Sequence, residues 1–293
     1  MPRKNIFRKT LARTLLNLAV VLSGSVLMHS AHAQQPQASG KVRMYLLDGG
    51  QINGLDPAEF NFKREEVKET DFVVTSELIV HPNGVLLWEA GAVPDHELPA
   101  DGSTFTEGPV IVTKSLASQL AAIGYSMDDV DFFAMSHLHS DHNGNANDFA
   151  KAKWIVQKAD RDMMFAGKEV RIMVPAYFAA LKDADTLLLD NEDHDVFADG
   201  SVRIISAPGH TPGHQVLLVN LVDYGPVLLA GDLYHYPEEI ETGRTPTFEY
   251  DPATSAISRA KIQALLKETG AKMWIGHDKM THAALKFAPE YYE

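Results

Sequence analysis

The chain has 293 residues, with 26 Lys and Arg against 39 Asp and Glu, a formal charge of −13, and no cysteine. An acidic surface repels phosphate backbones and argues against a nucleic-acid partner. The absence of thiols rules out disulfides and leaves only nitrogen and oxygen donors for any metal.

Residues 1–33 read as a secretory signal peptide. Arg3, Lys4, Arg8, Lys9 and Arg13 make a basic start, Leu15 to Met28 is apolar, and Ala31-His32-Ala33 offers small residues around a cleavable bond. The apolar run is shorter than the ~20 residues of a bilayer span and contains Asn17, so no stable membrane anchor is expected after cleavage. The mature protein is then expected in the periplasm or secreted. Cleavage removes five basic residues and no acid, leaving 21 against 39, a balance of −18. Residues 34–40 form a polar leader, and residues 41–293 are long enough for one large domain with a sizeable core.

The first strand is expected in "VRMYLLDGG", ending at the paired glycines Gly49 and Gly50. "DFVVTSELIV" and "GVLLWEAG" read as a hairpin joined through "HPNG" at 81–84. From Lys114 the period becomes helical, with Leu116, Leu120, Ala121 and Ile123 on one face and Gly124 closing the segment. "VDFFAMS", 130–136, is a short continuous apolar run of the kind a strand buried on both faces shows. After a short helix come strands in "KWIVQ" and "VRIISA", then two more in "HQVLLVNLVDYGPVLLAGD" about a turn at Asp223 to Pro226. A helix between Thr254 and Thr269 follows Asp251 as N-cap and Pro252 as first residue, with Gly270 behind it. "AKMWIGHD" supplies a last strand. Two groups of strands, each followed by helix and strand, predict an α/β domain of sheets layered between helices.

"SHLHSDHNGN", 136–145, begins where the buried strand ends and packs His137, His139, Asp141 and His142 into six positions. Imidazole and carboxylate are metal ligands, and a cluster this dense has few structural explanations. Alternation puts His137 and His139 on one side of an extended segment, while Asp141 and His142 follow where the chain turns. One metal could take the first pair and a second metal the next. Three later stretches, "SAPGHTPGHQV", "LLAGDLYHY" and "IGHD", carry His214, Asp232 and His277 beside glycines, and these could complete both sites. A shared carboxylate would keep the two cations close while offsetting their repulsion. Spacing alone leaves His210 open as a ligand too.

The order H-x-H-x-D-H, a later Pro-Gly-His loop, Gly-Asp and a late Gly-His resembles the metallo-β-lactamase superfamily over nearly the whole mature chain. That implies an αββα sandwich, two mixed β-sheets between helices, around a dinuclear centre. "APGHTPGHQVLL", "GHD" and the helix after "FEYDPATSAISRAK" look most like the N-acyl-homoserine lactonases, the quorum-quenching enzymes. The resemblance implies that His137, His139 and His214 bind one metal, that Asp141, His142 and His277 bind the other, and that Asp232 bridges them. His210 is left outside as a supporting group. Zinc fits the nitrogen-rich, redox-neutral donor set best, with iron, manganese and cobalt as competitors.

Two departures from the relatives matter. Their early Asp-Thr-Gly is here Glu89-Ala90-Gly91. Their catalytic tyrosine, three residues after the bridging aspartate, is here His235, flanked by Tyr234 and Tyr236. Any of these three could donate a proton to the product oxygen.

The expected reaction is opening of a small-molecule lactone by attack of a metal-bridging hydroxide. Within hydrolases, β-lactamase and broad ester or thioester activities compete. Asp232 argues against the first, because β-lactamases of the superfamily generally lack that aspartate. A glyoxalase II type thioesterase would add a helical region after the last histidine. A non-catalytic zinc-sequestering protein is the alternative from another class. Met163, Met164, Phe165, Ile172, Met173, Tyr177 and Phe178 form an apolar stretch that would suit an acyl chain, although helical spacing favours core packing. Oligomeric state stays open, a homodimer among the options.

Overall fold

The computed structural model describes residues 40–293; the expected signal peptide and nearly all of the leader lie outside them. Among the described residues no helix is long and apolar enough to cross a membrane.

The chain opens with β1 (Arg43–Ile52), β2 (Phe72–His81) and β3 (Gly84–Trp88), an antiparallel meander. β1 does not stop at its paired glycines. A bulge between Asp48 and Gly50, with Gly50 at φ 122°, lets the strand run on to Ile52 and pair with β5 (Val110–Val112), itself paired with β4 (Phe105–Glu107). Helix α1 (Leu116–Ala122) follows, then β6 (Phe132–Ala134), β7 (Lys153–Gln157), α2 (Lys158–Met164), α3 (Pro175–Phe178) and β8 (Thr186–Leu189). β3, β6, β7 and β8 are parallel neighbours, so the first sheet is mixed, in the order β4-β5-β1-β2-β3-β6-β7-β8. The short helix expected before β7 is a 3-10 turn, Ala146–Phe149.

The second sheet holds β9 (His194–Asp195), β10 (Val202–Ser206), β11 (Gln215–Leu221), β12 (Gly225–Leu229) and β13 (Lys272–Trp274) in the order β13-β12-β11-β10-β9. Its β12–β13 pair is parallel and its other pairs are antiparallel. Between β12 and β13 run α4 (Glu238–Thr242) and α5 (Pro252–Thr269), and α6 (Lys279–His282) follows β13. In α5 the Asp251 carboxylate caps the backbone N–H groups of Ala253 and Thr254, and Gly270 closes the helix at φ 69°.

Strand alternation builds three packed interfaces. In β11, Leu217, Val219 and Leu221 meet Ile79, Leu86 and Trp88 of the first sheet, while Val216 and Leu218 face Ile262 of α5. In β2 and β3, Leu78, Val80 and Leu87 turn the other way, onto Leu116 and Leu120 of α1. Helix, sheet, sheet and helix are therefore stacked as the sequence predicts. The loops beyond β6, β10, β12 and β13 carry the metal-type residues, and strand pairing brings them together.

Candidate metal centre

His137 and His139 leave β6 on an extended segment, and Asp141 and His142 sit in the 3-10 turn Ser140–His142. The loop after β3 holds this segment in place. The His142 carbonyl accepts from Ala90 N–H at 2.8 Å, and Gly144 N–H donates to the Gly91 carbonyl at 2.8 Å. A Cβ at Gly144 would stand 2.5 Å from the Val93 backbone nitrogen, so only glycine permits the approach.

The imidazoles of His137, His139 and His210 converge with the Asp232 carboxylate, and Asp141 converges with His142 and His277. Asp232 stands between the two groups. Its Oδ2 lies 3.4 Å from His210 Nε2 and 3.7 Å from His137 Nε2; its Oδ1 lies 3.2 Å from His142 Nε2 and 3.1 Å from His277 Nε2. Asp141 Oδ2 is 3.5 Å from His277 Nε2. Yet Asp141 Oδ1, His142 Nε2 and Asp232 Oδ1 are buried without hydrogen-bond partners. Buried polar atoms are seldom left so, and these donors fit two divalent cations as the missing partners.

The two histidines of the Pro-Gly-His loop exchange the places expected of them. His214 is fully buried, its Nδ1–H donates to the Ala207 carbonyl at 3.1 Å, and its Nε2 accepts from the Asp232 backbone N–H at 3.1 Å. Both ring nitrogens meet backbone groups, so His214 supports the Asp232 loop and stands outside both groups of ligand-type residues. His210 instead presents Nε2 to the first group and turns Nδ1 to Glu249 Oε2 at 3.0 Å. That is the imidazole–carboxylate pairing which orients metal-binding histidines. The spacing pattern gave both histidines the same glycine neighbour and could not rank them.

Burial keeps His139 and His137 well below the usual imidazole range and lowers His210 and His214 to about 3, so all four are neutral at pH 7. Metal ligation requires that neutral form. Burial also opposes charge on His142 and Asp232, but there the mutual attraction wins. The Asp232, Glu89 and Asp141 carboxylates hold His142 well above its ordinary value, and the imidazoles of His277, His142 and His235 hold Asp232 well below its own.

Glu89 adopts φ 61°, a conformation costly for a non-glycine residue. Both of its carboxylate oxygens accept from Ser136 N–H at 3.2 Å, and Oε1 lies 3.3 Å from His142 Nδ1. It therefore braces the first residue of the histidine loop and one imidazole of the second group. His277 is braced from the opposite side, by Nδ1 on the Val73 carbonyl at 2.8 Å and by face-to-face stacking on Phe72 with centroids 4.9 Å apart.

Tyr234, His235 and Tyr236, which follow Asp232 and Leu233, point in different directions. Tyr234 lies under the Arg259 guanidinium among the residues packed on α5, and Tyr236 packs edge-on against Phe60, Phe62 and Phe72. His235 places Nε2 3.1 Å from Asp232 Oδ2. On its other side, Glu239 Oε1 lies 3.5 Å from Nδ1, while Glu239 Oε2 accepts from Arg259 Nη2 at 2.6 Å. Burial disfavours a charged imidazole there, but Asp232 and Glu239 push His235 up to about 10.

A cavity of about 290 Å³ opens over the centre. His139, Asp141, Asp232, His235 and His277 line its reactive end, and Phe60, Phe72, Ile172 and Phe248 contribute to its apolar wall. Of the apolar stretch singled out in the sequence, Met164 and Phe178 are core, Met163, Phe165 and Met173 pack against that core, and only Ile172 lines this cavity. Glu239 carried no sequence signal, and Phe248 and Glu249 stood in the quoted stretch 248–261 with no role assigned, because only the fold brings them to the histidines.

The Metallo-beta-lactamase superfamily model matches residues 70–277, and the chain belongs to that superfamily of metal-dependent hydrolases. The N-acyl homoserine lactonase AttM of Rhizobium johnstonii is 30% identical over 270 residues, covering 86% of this chain and 98% of the relative. An N-acyl homoserine lactone hydrolase with the product N-hexanoyl-L-homoserine bound at its catalytic metal centre has a TM-score of 0.69 at 23% identity, covering 85% of this chain and 98% of its own. AidC, a dizinc quorum-quenching lactonase, has a TM-score of 0.62 at 19% identity, covering 87% and 94%.

Proposed function

We propose that this member of the metallo-beta-lactamase superfamily opens N-acyl homoserine lactones with two divalent metal ions, zinc suiting the donor set best. The reading rests on one juxtaposition: an apolar-walled cavity whose reactive end is a carboxylate with one oxygen turned to each group of imidazoles. An amide-linked acyl chain matches the wall, and a strained ester matches the reactive end. The relative named above as a lactonase, matched over 98% of its length, supports the same substrate class.

His137, His139 and His210 would hold one cation, Asp141, His142 and His277 the other, with Asp232 shared between them. Two cations bound there supply Lewis acidity at the ester carbonyl and a hydroxide source near neutral pH. The remaining work falls to the chain. Phe72, stacked on His277, and Phe248 shield the reactive end from bulk water. His235 lines the cavity beside Asp232 and is placed to give a proton to the ring oxygen as the ester C–O bond breaks. Glu239, anchored by Arg259, sets the orientation of that ring. Tyr234 and Tyr236, turned into packing contacts, take no part in proton transfer.

The deciding measurement is proton release from short- and long-chain N-acyl homoserine lactones by purified protein, with a chelated sample alongside. Metal-dependent ring opening is expected. A protein shown to carry two metals but silent on every lactone would refute the reading in favour of β-lactam or ester hydrolysis. Export belongs to the same proposal and rests on residues 1–33 alone. N-terminal sequencing of the protein recovered from a periplasmic extract tests it, with a mature start near Gln34 expected and an intact Met1 counting against it.

A further inference from the structure

Three segments distant in sequence meet at the mouth of the cavity. One is the 3-10 turn Pro57–Phe60, the second is the loop at 166–174, and the third is the stretch at 245–250 before α5. Glu59 is the common point. Its backbone carbonyl accepts from Thr247 N–H at 2.7 Å, and its Oε2 accepts from Arg171 Nη2 at 2.6 Å. The Arg171 guanidinium in turn lies over the Phe248 ring, 4.8 Å from its centroid. Glu59, Arg171 and Phe248 all line the cavity, so the ion pair crosses its rim.

The loop that carries Arg171 is tied to the metal centre. The carbonyl of Ile172 accepts from Ser140 N–H at 2.7 Å, between His139 and Asp141. Ile172 itself sits at φ 63°, a left-handed conformation that a β-branched residue adopts only when its surroundings impose it. Position 171 is thus fixed relative to the reacting end, and the pair spans the cavity at a set distance from it. The 290 Å³ of the cavity is at the lower limit of small-ligand cavities, ~300–1,000 Å³.

From this the geometry points to the Glu59–Arg171 pair, laid over Phe248, as the determinant of acyl-chain length: closed, it admits the lactone ring with a short chain, and a longer chain must displace it. The inference rests on the lactonase reading for the identity of the substrate but concerns a different part of the cavity. Both partners are about half exposed, so the pair is weak, worth up to about fivefold in an equilibrium. Each methylene then taken out of water adds up to about fourfold. The predicted outcome is a graded preference and not an absolute barrier.

The test is a chain-length series. For the metal-loaded wild-type protein, Arg171→Ala, Glu59→Gln and the charge-swapped double variant Glu59→Arg/Arg171→Glu, kcat/KM is measured for N-hexanoyl and N-decanoyl homoserine lactone. Calorimetric binding of the two ring-opened acyl homoserines is measured in parallel. Both single variants should raise the decanoyl-to-hexanoyl ratio, by up to about fivefold for Arg171→Ala. The swapped pair should bring the ratio back toward wild type. Ratios unchanged in both single variants, in turnover and in binding, overturn the inference. A wild-type protein that turns over no lactone, but whose binding ratio shifts in the variants as described, refutes the lactonase reading and upholds the role of the pair.

Discussion

Replacing His210 and His214 in turn, each by alanine, separates the two roles that the structure gives them. His214→Ala leaves two buried backbone groups without partners, the Ala207 carbonyl and the Asp232 N–H. At ~1–3 kcal/mol for each orphaned group, the folded state should lose roughly 4 kcal/mol. His210→Ala removes an imidazole whose contacts are the other ligand-type groups and Glu249. Loss of an outer-shell partner alone weakens a metal site ~10–100-fold, so loss of the ligand itself should weaken the first site by at least ~100-fold. The assay pairs elemental analysis of the gel-filtered, folded protein with thermal melts in zinc and in chelator. Wild-type protein should gain about 2.7 kcal/mol per site from zinc at 100 times the dissociation constant. His210→Ala, which orphans one buried oxygen of Glu249, should melt lower in chelator by less than His214→Ala does, and should gain less from zinc. His214→Ala should melt lower in both while the folded fraction keeps two metals. A folded His214→Ala protein with one metal, beside a His210→Ala protein with two, would refute the assignment.

Removing the carboxylate behind His210 with Glu249→Gln should weaken zinc binding ~10–100-fold in a competitive chelator titration, and unchanged affinity would show that the 3.0 Å contact does not orient the ring. Asp160, buried beneath the Pro-Gly-His loop, accepts from Thr211 Oγ1 at 2.8 Å and Gly213 N–H at 2.6 Å; burial raises it to about 7 despite these donors. Because this carboxyl is raised on folding, its contribution is fully present below the unfolded pKa near 4 and is lost as pH rises through 7, a change on the order of 4 kcal/mol. Asp160→Asn should flatten that part of the stability profile in denaturant melts from pH 4 to 8, and an unaltered slope would rule Asp160 out as its source. Gly209→Ala should lower Tm by about 6–12 °C, since φ is 142° and a Cβ would fall within 2.5 Å of Ser255 backbone atoms. A wild-type Tm would mean that the loop and the start of α5 can separate without cost.

The layered fold was legible because β2, β3, β6 and β11 show the apolar runs and alternation of strands between packed layers, and because Asp251, Pro252 and Gly270 mark the ends of α5. β4, β5, β8 and β9, with two to four residues each, were too short to show a period. The extension of β1 past Gly50 depended on a bulge and a partner strand some sixty residues away. The dense cluster from His137 to His142 pointed to metal by itself, since ligand types so closely spaced have few other uses. His210 and His214, each preceded by Pro-Gly, are locally alike. What distinguishes them is which backbone groups lie within 3.1 Å of each ring, and that is set by the approach of β12, α5 and Glu249. The sequence by itself determined the ligand types and the layered architecture, which follow from side-chain chemistry and local period. Which imidazole faces the centre, which of His235, Tyr234 and Tyr236 reaches the cavity, and where Glu59 meets Arg171 depend on contacts between distant segments, and only the tertiary structure decided them.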